Sequence, residues 1–102
     1  MVNTRFTSFA EFYPFYLSEH RNRTGRRLHF IGSSLSLLLL ATGIFKGGGL
    51  WFVAALVCGY AFAWVGHFFF EKNRPATFRY PFYSFAGDWR MWWETLTGKR
   101  AF

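Results

Sequence analysis

Two apolar runs separated by four residues decide what this chain can fold into. Leu28–Phe45 is 18 residues whose only ionisable side chain is His29, and Leu50–Phe70 is 21 residues broken only by Cys58, Tyr60 and His67. At a helical rise of ~1.5 Å per residue these runs span ~27 Å and ~31 Å, against a hydrocarbon core of ~30 Å. Each is a transmembrane candidate. Backbone groups in lipid must be satisfied within their own segment, which predicts helices. Lys46-Gly47-Gly48-Gly49 is a short link, so the two helices form an antiparallel hairpin.

The remaining boundaries follow from that pair. In the 102 residues we expect a single all-α membrane domain. Residues 1–27 form an interfacial helix and a basic turn, 28–45 the first spanning helix, 46–49 the turn, 50–74 the second spanning helix, and 75–102 interfacial helices. Ala55, Gly59, Ala63 and Gly66 make a small-residue stripe, and Gly32 and Ser36 do the same on the first helix. Such stripes let helices approach closely in lipid. Residues 1–27 carry five Arg and residues 71–102 carry six Lys or Arg, whereas the link has only Lys46. The positive-inside rule then places both termini in the cytoplasm.

The net charge of +7 raises the question of nucleic acid, but no DNA- or RNA-binding motif accompanies it, so none is expected as a partner. Cys58 is the single cysteine, which excludes an intrachain disulfide and disfavours a thiolate metal site. No apolar run opens the chain, so no cleavable signal peptide is expected.

The flanks carry more local signals. Ser8 and Glu11 have capping-box spacing, and Phe9, Phe12, Tyr13, Tyr16 and Leu17 form an aromatic stripe at helical spacing. Pro14 should kink or restart that helix. Arg21, Arg23, Arg26 and Arg27 surround Thr24 and Gly25, read as a helix cap and a flexible turn among anionic headgroups. Near the end, Asp88 reads as the N-cap of a helix whose stripe is Trp89, Trp92, Trp93 and Leu96. Arg90 can pair with Glu94, and Gly98 ends the helix.

The chemistry-bearing residues cluster at one end of the hairpin. His67 and Glu71 are four apart and share a helical face, Glu71 and Arg74 can pair, and Pro75 should end the helix near Arg74. His29 and His67 lie equally far from Gly48, so a hairpin brings them to one depth. His20 joins them if the chain folds back near Thr24-Gly25. Imidazoles with a carboxylate resemble the donor set of non-haem iron oxygenases, and zinc suits the same atoms. The plainer reading is polar residues at a water boundary beside a structural Glu71–Arg74 pair.

Phe15-Tyr16-Leu17-Ser18-Glu19-His20, Arg27-Leu28-His29-Phe30-Ile31-Gly32 and Gly66-His67-Phe68-Phe69-Phe70-Glu71-Lys72-Asn73-Arg74-Pro75-Ala76 resemble the 2-hydroxy-fatty-acid dioxygenase family. That family is typified by the fungal enzyme of phytosphingosine breakdown. The resemblance covers nearly the full chain. It implies an integral membrane protein that uses Fe(II) and dioxygen to shorten a 2-hydroxy fatty acid by one carbon, with His20, His29 and His67 as iron ligands. The matching Glu71 and Arg74 are assigned by chemistry to catalysis. Glu71 is a further ligand or holds an imidazole in place, and Arg74 pairs with Glu71 or holds the substrate carboxylate. Fungal-type members are longer, so here the terminal helices or a second copy of the chain must complete the site. The rival readings are a non-catalytic membrane structural or assembly protein, and a bis-histidine haem between His29 and His67.

Overall fold

The computed structural model describes residues 6–75 and 78–102, and every described element is helical. Arg5 and the Ala76-Thr77 step, both used in the sequence reading, lie outside the described residues. The elements in chain order are α1 (Phe9–Ser18), α2 (Arg23–Lys46), α3 (Leu50–Val65) with a π-helical continuation (Gly66–Glu71), and α4 (Pro81–Leu96).

α1 starts where its capping spacing predicts. Ser8 Oγ accepts from the Glu11 N–H at 3.2 Å, and Glu11 Oε1 accepts from the Thr7 N–H at 3.3 Å. Its aromatic stripe is the buried face, with Phe12, Tyr13 and Tyr16 inside. The helix runs through Pro14 without restarting. Proline removes one backbone bond there, and burial of the aromatic face outweighs that loss.

α2 begins earlier than the apolar run does. The cap is Asn22, not Thr24: its side-chain oxygen accepts from the Gly25 N–H at 3.0 Å. The chain therefore reverses before Arg23, and Gly25 lies inside the helix. The second long helix ends earlier than expected, at Glu71 instead of Arg74. Lys72 turns into the left-handed region at φ 58°, and the Asn73 N–H bonds the His67 carbonyl at 3.0 Å. That backbone closure stops the helix before Pro75 acts.

α2 and α3 pack through their small residues, and the contacts pair the two helices in opposite directions. A Cβ on Gly25 would meet Glu71, one on Gly32 would lie 2.3 Å from Phe62 Cβ, and one on Gly43 would lie 2.5 Å from Trp51 Cβ. Ser36 Oγ also donates to the Ala55 carbonyl at 2.8 Å. Arg23–Lys46 and Leu50–Glu71 are both long and apolar enough to cross a membrane. Much of their apolar surface is uncovered, including Leu38, Ile44, Leu56 and Val57.

The largest correction concerns α4. Asp88 is not an N-cap but lies in mid-helix, because the helix starts seven residues earlier at Pro81. Proline is well suited to the first helical position, where its missing N–H has no partner to lose. The buried face is Ser84, Gly87 and Met91, while Trp93 and Leu96 from the expected stripe are more than half exposed. Gly87 lets α4 press against the Tyr16 ring, where a Cβ would come within 3.0 Å. α1 and α4 share a core of Phe12, Tyr13, Tyr16, Tyr80 and Met91. The Tyr13 hydroxyl donates to Glu94 Oε1 at 2.6 Å, while Arg90 and Arg100 flank the same carboxylate.

Two predictions follow from this packing. Gly32→Ala should destabilise the protein by about 1–3 kcal/mol through overpacking against Phe62. Gly59→Ala should be near neutral, because its Cβ would meet Ser36 at an ordinary 3.5 Å. Thermal unfolding in detergent compares them. Burial pushes the Glu94 carboxyl up, but Tyr13, Arg100 and Arg90 outweigh it and hold it below the ordinary 4.5. A depressed carboxylate stabilises the fold above its unfolded pKa and loses that contribution as pH falls through the folded value. Glu94→Gln should therefore cost on the order of 1.5 kcal/mol at neutral pH. The gap to wild type should close as unfolding is measured at pH values progressively below 4.5.

Candidate functional site

Three imidazoles from three separate segments meet where α1, α2 and the π-helical turn converge. His20, His29 and His67 are all at least 95% buried. The His20 ring centroid is 4.5 Å from that of His67 and 5.8 Å from that of His29. His20 is brought there by the reversal after α1, and the Tyr16 ring lies against it at 4.2 Å.

Their hydrogen bonds fix the tautomers. His20 Nδ1 lies 2.8 Å from the Tyr16 carbonyl, which can only accept, so Nδ1 carries the proton. His67 Nδ1 lies 2.7 Å from Asn73 Oδ1, whose amide nitrogen donates to the Glu19 carbonyl at 3.0 Å. His67 Nδ1 therefore donates as well, leaving Nε2 as the ring nitrogen not engaged by Asn73. Burial, then the neighbouring His29 and His67, lower the pKa of His20 to about 3, so this ring is neutral at physiological pH.

His29 is held differently. Its Nε2 lies 3.3 Å from Asp88 Oδ1 and 3.4 Å from the Tyr16 hydroxyl. The Tyr16 hydroxyl donates to the same Asp88 oxygen at 2.5 Å. Burial, then Asp88, push the Tyr16 pKa well above its ordinary 10.0, so it remains a donor. Asp88, Tyr16 and Asn73 are the members of this cluster that the sequence reading gave no chemical role.

Glu71 and Arg74 lie elsewhere. Glu71 Oε1 and Oε2 accept from the backbone N–H groups of Arg21 at 3.1 Å and Asn22 at 2.6 Å. Arg74 is exposed, and among the described residues no Glu71–Arg74 ion pair is present.

The geometry can now be set beside known proteins. A family model described as 2-hydroxy-palmitic acid dioxygenase Mpo1-like matches residues 6–100, which span α1 to α4 and all three histidines. The chain belongs to the Mpo1-like family. No curated protein and no solved structure gives a significant match.

In this Mpo1-like chain a cavity of about 240 Å³ opens beside the histidine cluster. His29 and Asp88 stand at one end, and Leu40 and Phe52 line the other. Ser33, Ser36, Ala55, Gly59 and Ala63 line its length, while α4 supplies Phe85 and Trp89. α4 thus contributes to the lining, as one of the terminal helices named in the sequence reading.

The donor chemistry fits a divalent metal. Neutral imidazoles whose second nitrogen is held by a carbonyl or amide oxygen are the usual form of a metal-binding histidine. The rings do not surround one point as they stand. Among the described residues no three His, Cys, Asp or Glu side chains are arranged to share an ion. The fit is therefore one of donor type and tautomer.

Asn73 has a readable role in this arrangement. Asn73→Ala should destabilise the protein by about 1–3 kcal/mol by stripping the Glu19 carbonyl and His67 Nδ1 of their partner. Nitrogen chemical shifts of the His67 ring should show loss of the single Nδ1–H tautomer, while those of His29 stay unchanged.

Proposed function

We propose that this chain is a membrane-embedded, Fe(II)-dependent dioxygenase that shortens 2-hydroxy fatty acids by one carbon. The observation that carries the reading is the meeting of three buried imidazoles in a chain of the Mpo1-like family. In this reading His20, His29 and His67 hold the iron. The bound metal would supply the means of engaging dioxygen and the 2-hydroxy acid.

The chain's own residues do the rest. Tyr16 and Asn73 hold the Nδ1–H groups of His20 and His67, so that each Nε2 lone pair faces away from them. Glu71 acts as the positioning residue, since its two oxygens tie the backbone beyond His20 to the end of the helix carrying His67. Arg74, expected to pair with Glu71 or to hold the substrate carboxylate, is exposed and lines no part of the cavity, so this reading gives it no contact with the substrate. The apolar cavity takes the acyl chain and keeps water from it.

The same reading places α2 and α3 across the bilayer as a hairpin, with α1 and α4 at the cytoplasmic interface. Support comes from the two apolar helices, from the basic residues flanking them, and from the packing of α1 on α4. The acid and dioxygen are the partners besides lipid. α4 lines one side of the cavity, and a second copy of the chain remains a candidate for covering the rest.

Anaerobic purification followed by metal analysis tests the proposal. Wild-type protein should carry iron and turn over 2-hydroxy-palmitic acid. His20→Ala, His29→Ala and His67→Ala should each lose at least about tenfold in iron affinity and in turnover. Absence of iron, with unchanged turnover in His67→Ala, would sink the reading. Absence of both iron and turnover in folded wild-type protein would leave a structural membrane protein, and a Soret band would indicate haem instead.

A further inference from the structure

The cavity is polar at one end, and the carboxylate there is only half used. Asp88 Oδ1 accepts from Tyr16 and faces His29 Nε2, whereas Oδ2 has no hydrogen bond among the described residues. The side chain is 22% exposed and lines the cavity. Beyond it the walls are mostly apolar: Ser36 Oγ is committed to the Ala55 carbonyl, Ser33 and Tyr60 add the other hydroxyls, and Leu40, Phe52 and Leu56 lie further along. An acceptor oxygen facing an apolar space calls for a donor from whatever fills that space.

We propose that Asp88 is the specificity-determining residue that reads the 2-hydroxyl group of the substrate, accepting its hydrogen bond at the head of the cavity while the acyl chain lies along Ala55 and Gly59 toward Leu40. This rests on the dioxygenase reading and adds to it the means by which a 2-hydroxy acid is told from an unsubstituted one. The hydroxyl, not the acid's carboxylate, is the group at Asp88, because the Asp88 oxygen accepts and the hydroxyl is the substrate's donor. A site built to accept from a hydroxyl discriminates strongly against the analogue lacking it, since its own polar atom is then left unpaired. Tyr16 contributes by holding Asp88 in place from the opposite side. From His29 to Leu40 the cavity follows eleven residues of α2, about 16 Å of helix, which suits an extended chain.

Equilibrium binding of 2-hydroxy-palmitic acid and of palmitic acid to the full chain in lipid nanodiscs tests the assignment. Wild type should prefer the hydroxy acid by about tenfold or more, the worth of a hydrogen bond to a charged group. Asp88→Ala should bring that ratio close to one while retaining palmitic acid binding. Asp88→Asn, which keeps the side-chain volume should the alanine variant unfold, should lower the ratio several-fold. Ala55→Phe should weaken binding of both C16 acids while sparing 2-hydroxy-octanoic acid. A ratio that survives both Asp88 substitutions overturns the role of Asp88, and undiminished C16 binding in Ala55→Phe overturns the placement of the chain. If wild type turns over the hydroxy acid but the ratio ignores Asp88, only this inference falls. If neither acid binds wild type, the dioxygenase reading falls with it.

Discussion

One carboxylate at the end of the second long helix determines where the first helix of the chain can lie. Glu71 accepts two backbone N–H groups from the turn that follows His20, across about fifty residues of sequence. Those amides stand at the entrance of α2, where the first N–H groups of a helix lack internal partners. A negative charge is favoured there both by hydrogen bonding and by the helix dipole. The close approach of Gly25 to Gly66 makes room for the contact, since a Cβ on Gly66 would lie 3.2 Å from the Gly25 carbonyl. Together with the Asn73 amide on the Glu19 carbonyl, this tie holds the segment that carries His20.

From that anchor the rest of the cluster follows by short steps. The chain reversal sets α1 against α4, and the aromatic face of α1 supplies both the core and the Tyr16 hydroxyl. Asp88 then joins a helix near the C-terminus to a histidine on α2, so four segments converge on a few buried polar groups. Groups of this kind are costly to bury singly and stable when each is paired. Lys72 in a left-handed conformation is the local cost of turning the chain out so that Asn73 can reach back to His67.

How much of this could be read in the sequence depended on the range of each signal. The long apolar helices, the Ser8–Glu11 cap, the Arg90–Glu94 pair and the aromatic face of α1 are all local, and they were legible. The approach of His20 to His29 and His67 needed a reversal after α1, which the sequence suggested near Thr24-Gly25 and the structure places before Arg23. Asp88 was misread because tryptophan dominated the hydropathy of α4. Yet Ser84, Gly87, Asp88 and Met91 fall at i, i+3, i+4 and i+7, an inner face marked by small side chains that no hydropathy pattern reveals. The cap at Asn22 and the turn at Asn73 depend on side-chain amides reaching backbone or ring atoms, a choice settled by tertiary neighbours. Glu71 was placed on the correct helix but beside the wrong partner, because the amides of Arg21 and Asn22 lie close to it only in three dimensions.

The sixteen residues of α4 combine tasks that larger proteins distribute over several elements. Phe85 and Trp89 line one side of the cavity, Asp88 meets His29, and Glu94 receives Tyr13. What looks from its position like a tail is in effect a lid fastened at both its polar contacts. Trimming the chain before Pro81 would unroof the interior, strip His29 and Tyr16 of their common partner, and leave the first helix with no surface to rest on. The smallest version of this molecule that can still enclose a guest must therefore reach at least as far as Glu94.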